Sequence, residues 1–188
     1  MIIVDKIINF FTNPIREFKG YKERKTVGVN LLIVVVFSVI LALLRPALAL
    51  RDSAISNLDE EARKMVIEFY EKASRPQVSI PTTIFATLIA IIISSFIYYL
   101  FAKNLTENKE RVIGFIDTLE VYTFSYIALL VGDIIISLVK VELLSIPFQI
   151  WFYILLVLGF ENALDVPRKK FIWVAAVLFI LTNLRVFY

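Results

Sequence analysis

The stretch Ile80–Ala102, "IPTTIFATLIAIIISSFIYYLFA", contains no charged side chain. A helix that crosses a bilayer needs roughly 20 predominantly apolar residues. Hydrocarbon offers no partner to a stray backbone amide or carbonyl, so a run of this kind is confined to a spanning helix. Four further runs obey the same constraint: Val27–Ala49, Val112–Val139, Ser145–Phe160 and Lys170–Phe187. Charged stretches separate them. Hydrophobic residues make up 59% of the 188, against about 45–50% in soluble domains. The predicted fold is all-α: a polytopic membrane protein with a bundle of five transmembrane helices over residues 27–188, preceded by a cytoplasmic amphipathic segment over residues 1–26.

Cysteine and histidine are both absent. Their absence rules out disulfides, Ser-His and Cys-His nucleophilic pairs, and the commonest zinc ligands. There is no Walker loop, GxGxxG or GxSxG pattern, and no cofactor is expected. The formal charge of +3 is small and its basic residues flank apolar runs, so no nucleic-acid partner is expected.

The opening "MIIVDKIINFFTNPIREFKGYKERK" contains acids and a proline and lacks a small-residue cleavage site, so it does not read as a signal peptide. Ile2, Ile3, Ile7, Ile8, Phe10, Phe11, Ile15 and Phe18 recur at helical spacing between Lys6, Arg16 and Lys19. This pattern predicts a helix lying in the membrane interface, broken near Asn13-Pro14.

Basic residues concentrate in three segments: the N-terminal segment, the connection with Lys103, Lys109 and Arg111, and the connection with Arg168, Lys169 and Lys170. By the positive-inside rule these face the cytoplasm. The expectation is a multi-pass protein of the cell membrane, with its N-terminus cytoplasmic and its C-terminus outside. The long loop after the first span then lies outside. Within it, "SNLDEEARKMVIEFYEKASRP" has a Ser/Asn cap, acids in the first turn, and a stripe of Leu58, Ala62, Met65, Val66, Phe69 and Ala73. A helix over about residues 57–74 is expected there, resting on the outer surface of the bundle.

Five spans, the segment "FFTNPIREF" before the first of them, and a fourth span "IWFYILLVLGFENALDVPRKKF" with Trp151, Gly159 and Arg168 together resemble the Yip family, in particular its prokaryotic members. In eukaryotes that family is associated with Rab GTPases and vesicle traffic. The chain departs from the family pattern in three places. Gly114 stands alone where a Gly-rich turn is usual, a proline common in span three is missing, and the N-terminal region is short. The resemblance implies an integral membrane scaffold or assembly factor, and it implies no catalytic residue and no Rab binding.

Carboxylates within the spans are the candidate functional residues, because a charge at mid-bilayer costs about 2.5–3.5 kcal/mol on insertion scales. Asp117 and Glu120 lie one turn apart near the start of span three. Glu161 and Asp165 end span four, so antiparallel packing of the two spans predicts one layer of four acids beside Arg168, Lys169 and Lys170. Pairing with the basic loop is the structural reading; a site for a polar ligand or a hard cation such as magnesium or calcium is the functional one. Asp133 lies about 24 Å further along the axis and points about 160° away. It is expected to form a structural charge pair with Arg185 or Arg45. Asn183 is a candidate polar contact between helices.

Three functions compete. The first is a non-enzymatic scaffold, assembly or trafficking-like protein acting through the lipid bilayer and other membrane proteins, with a homo-oligomer among the candidate assemblies. The second is a small ion or solute transporter or channel that uses the intramembrane carboxylates. The third is a lipid-directed enzyme with a metal held by Asp117, Glu120 and Glu161.

Overall fold

The computed structural model describes residues 10–21, 26–44, 59–73, 75–106 and 112–183. Seven helices organise them: α1 (Pro14–Gly20), α2 (Val27–Leu44), α3 (Glu60–Ala73), α4 (Pro76–Leu105), α5 (Phe115–Val139), α6 (Ser145–Leu164) and α7 (Arg168–Asn183). A short 3-10 turn, Glu142–Leu144, links α5 to α6. Among the described residues, α2, α4, α5 and α6 are long and apolar enough to cross a membrane. The fifth expected span, Lys170–Phe187, extends past the described end of α7.

Local chemistry sets the boundaries. Pro14 opens α1, and the Asn13 side chain accepts from the Arg16 amide at 3.2 Å; a proline at the first position forfeits only an amide that lacks a helical partner anyway. Pro76 opens α4 in the same way. The second proline of α4, Pro81, lies early in the helix, where the Thr82 hydroxyl donates back to the Val78 carbonyl at 2.7 Å. α5 and α6 end at Lys140 (φ 62°) and Asp165 (φ 54°), both left-handed. Asp tolerates that conformation better than most residues. α3 begins later than expected: Asp59 is its cap, accepting from the Ala62 amide at 2.7 Å. The expected cap, Ser56-Asn57, lies outside the described residues.

α5 is the axis of the bundle and packs against α2, α4 and α6. Residues 118–125 are buried on every side of it, as required of a helix enclosed by neighbours. Two of its hydroxyls bond within the helix: Thr123 donates to the Leu119 carbonyl at 2.6 Å and Ser125 to the Val121 carbonyl at 2.9 Å. By contrast, α4 buries a single stripe, Ile91, Ser95, Tyr98 and Ala102, and turns Phe85, Ile92, Ile93 and Phe96 outward. An outward apolar face of this kind is what a helix long and apolar enough to cross a membrane would turn to lipid.

Two glycines bring α5 and α6 together. A Cβ on Gly132 would lie 2.6 Å from the Phe148 Cβ, and one on Gly159 would lie 2.4 Å from Val121 Cγ1. Hydrocarbon does not drive helices together, so close backbone approach at small residues supplies the packing instead. α7 stacks on α6 through Phe160 and Phe171, whose ring centroids are 3.9 Å apart.

Two amphipathic segments divide their apolar residues between the bundle and its outside. Phe10, Phe18 and Tyr21 belong to the core, while Phe11 and Ile15 of the same segment are exposed. The Phe10 ring meets Phe124 at 5.3 Å, and Phe18 meets it at 5.1 Å. In α3, Met65 and Phe69 are exposed, while Ala62, Val66 and Ala73 of the expected stripe are half-buried. Amphipathic spacing identifies a face that leaves water and says nothing about what receives it.

Candidate functional site

Among the described residues Glu120 is the one buried charged side chain. It sits in the second turn of α5 and faces the start of α2. The Thr26 amide donates to Glu120 Oε1 at 2.6 Å, and the Thr26 hydroxyl donates to the same oxygen. Thr26 in turn starts α2: its carbonyl accepts from the amides of Val29 (2.9 Å) and Asn30 (3.1 Å). The carboxylate therefore lies at the positive end of a spanning helix, where an anion is favoured. One turn further, the fully buried Asn30 donates to the Tyr21 hydroxyl at 3.3 Å and to the Glu120 carbonyl at 3.5 Å. Burial holds the Tyr21 phenol well above its ordinary pKa. The Asn30 hydrogen bond acts against that shift, while the nearby charges of Glu120 and Glu17 reinforce it.

The result is a polar knot of Glu120, Thr26, Asn30 and Tyr21 that ties the N-terminal segment, α2 and α5 together. Of its members, Glu120 alone was singled out by sequence reasoning. Asn30 carried a readable signal, as a lone amide in the apolar run "VGVNLLIVVV". An intramembrane polar residue normally faces the bundle interior.

The other acids have separate environments. Asp117 is exposed at the start of α5 and accepts from the Gly114 amide at 3.0 Å, capping its own helix. Glu161 is half-buried near the end of α6, and Asp165 is the exposed, left-handed residue that stops it. Among the described residues no three acids are grouped as a metal ion would need. Asp133 is exposed at the far end of α5. There it lines a cavity of about 190 Å³ between α5 and α6, with Ser145, Gln149, Tyr126 and Tyr153. The Gln149 Oε1 in that wall is buried without a hydrogen-bond partner among the described residues. Arg45 and Arg185, the expected partners of Asp133, lie outside the described residues, as does the side chain of Asn183.

A family model described as the Yip1 domain matches residues 8–186. No curated protein and no solved structure matches the chain.

Proposed function

Because the chain belongs to the Yip family, matched across residues 8–186, we propose that it is a non-enzymatic integral membrane scaffold or assembly protein. It acts through contacts with lipids and other membrane proteins, copies of itself included. In this reading five helices cross the membrane, α7 being the fifth, and the N-terminus is cytoplasmic. The observation that carries the proposal is the use made of Glu120. The acid best buried for chemistry or transport is committed to Thr26, where it fixes one helix start against another. Around it the interior is filled by Phe10, Phe18, Phe124, Phe160 and Phe171. A packed aromatic centre suits a rigid scaffold and obstructs a polar path.

A second reading, the small transporter or channel, is favoured by the cavity beside Asp133. It predicts flux of protons or metal cations through proteoliposomes, abolished by Asp133→Asn. The scaffold reading predicts no flux above empty vesicles. It also predicts discrete complexes, captured by cross-linking in intact membranes and purified in mild detergent, that survive Asp133→Asn. Flux dependent on Asp133 would overturn the scaffold reading.

A further inference from the structure

α6 and α7 do not close on each other along their whole length. Beside the Phe160–Phe171 stack they leave a groove of about 320 Å³ on the outer surface of the helix pair. Its size falls within the range of ligand sites, about 300–1,000 Å³. Ile150, Tyr153 and Val157 of α6 form one wall; Ile172, Ala175 and Phe179 of α7 form the other. Ala175 and its neighbour Ala176 stop at Cβ, which leaves the space open. At one end the lining includes a single charged residue, Arg168. It is exposed, and the exposed Lys169 and Lys170 follow it in the chain.

The dimensions match one leaflet. Arg168 and Phe179 are separated by about 16 Å along α7, at 1.5 Å per residue. Half the hydrocarbon thickness of a bilayer is about 15 Å. The groove therefore runs from the headgroup level, marked by the three cations, to near the midplane. Its apolar walls accept an alkyl chain, and its charged mouth accepts an anion at the depth where a phospholipid carries its phosphate. The amides at the start of α7 point to the same end and add a favourable dipole.

From this charge complementarity and this length, we infer that the groove between α6 and α7 holds an anionic glycerophospholipid, one acyl chain between the helices and its headgroup phosphate against Arg168. A zwitterionic lipid of the same chain length fills the apolar slot but brings its own cation to the mouth, beside Arg168. One basic residue in contact with an anionic headgroup contributes enough for about a fivefold preference, and Arg168 is the one that lines this groove.

The full-length protein, delipidated in a maltoside detergent, tests this by native mass spectrometry with equimolar phosphatidylglycerol and phosphatidylcholine of identical acyl chains. The expected result is about fivefold greater retention of phosphatidylglycerol. Arg168→Gln, at an exposed position, should abolish the preference while both lipids are still retained. Ala176→Phe, which fills the slot, should reduce retention of both. Equal retention of the two lipids by the wild type would overturn the inference, and so would a preference that survives Arg168→Gln. Competition by inorganic phosphate as effective as that by the long-chain lipid would also overturn it, because the site would then read an anion without its chain.

Discussion

The ring of Phe18 stands where a side chain on Gly159 would have to go: a Cβ there would lie 2.8 Å from Phe18 Cε1. One residue from the segment before the first span thus fits into a notch cut in the fourth, at the point where Val121 of α5 also closes in. Gly159→Val should displace both neighbours. Overpacking of this kind costs about 1–3 kcal/mol, read as a lower melting temperature in detergent. Phe18→Leu in the same chain should recover part of the loss. A Gly159→Val protein as stable as wild type would mean that α1 does not seat here.

The docking of the N-terminal segment makes a second claim, on neighbouring rings. Phe10 and Phe18 are almost fully buried, whereas Phe11 is 53% exposed. Truncating a buried Phe costs about 3–5 kcal/mol, so Phe18→Ala should lower the melting temperature strongly and Phe11→Ala should barely move it. A helix merely resting in the membrane interface would tolerate both changes in detergent. Equal, small effects would restore the interfacial position.

How much of this was legible follows from what each residue type can signal. The spans were readable because Ile80–Ala102 and its counterparts have no soluble alternative. Their ends were less so: α6 continues through Glu161 and Asn162 to Leu164, past the apolar run, because Asn162 donates to the Leu158 carbonyl at 2.8 Å and keeps its amide within the helix. Which helix is central was hidden. Lipid-facing and protein-facing positions are both apolar, so the enclosed 118–125 stretch of α5 and the outward Phe85 and Phe96 of α4 look alike in sequence. The Glu120–Thr26 contact joins residues 94 positions apart, a separation that periodicity cannot bridge. The depth of Glu120 was readable, but its partner was not.

That contact supports a third prediction. Hydrogen bonds to a charged group contribute about 1.5–3 kcal/mol each. Glu120→Ala leaves the half-buried Thr26 amide without its acceptor, so it should be more destabilising than Glu120→Gln, which keeps an oxygen in place. Thr26→Val removes the hydroxyl donor alone. In a double-mutant cycle with Glu120→Ala the two losses should be less than additive, since both remove the same bond. Strict additivity would show that carboxylate and hydroxyl act independently.

Tyr21 gives the knot a signature at high pH. Its phenol is held above the ordinary value near 10 in the folded protein, chiefly by burial. With a raised folded value, the contribution is fully present below about pH 10 and is lost as pH climbs from there toward the folded pKa, because the unfolded chain releases its proton first. Tyr21→Phe should therefore lose less stability than wild type between pH 9 and pH 11, while Asn30 remains buried in both. Parallel curves for the two proteins would place Tyr21 in contact with water.

Orientation is open to a direct chemical test, because the chain contains no cysteine. If the segments bearing Arg16, Lys103 and Arg168 face the cytoplasm, α3 lies outside, since one spanning helix, α2, separates it from α1. The connection between α4 and α5 returns to the cytoplasmic side. Single cysteines then report each side: Ser56→Cys, just before α3, should react with an impermeant maleimide on intact cells or sealed right-side-out vesicles. Asn108→Cys, between α4 and α5, should react only after the membrane is opened. The opposite labelling pattern would invert the molecule, placing the Glu120 knot and the cationic mouth at Arg168 in the outer leaflet. Labelling of both cysteines from outside would mean that α4 does not cross.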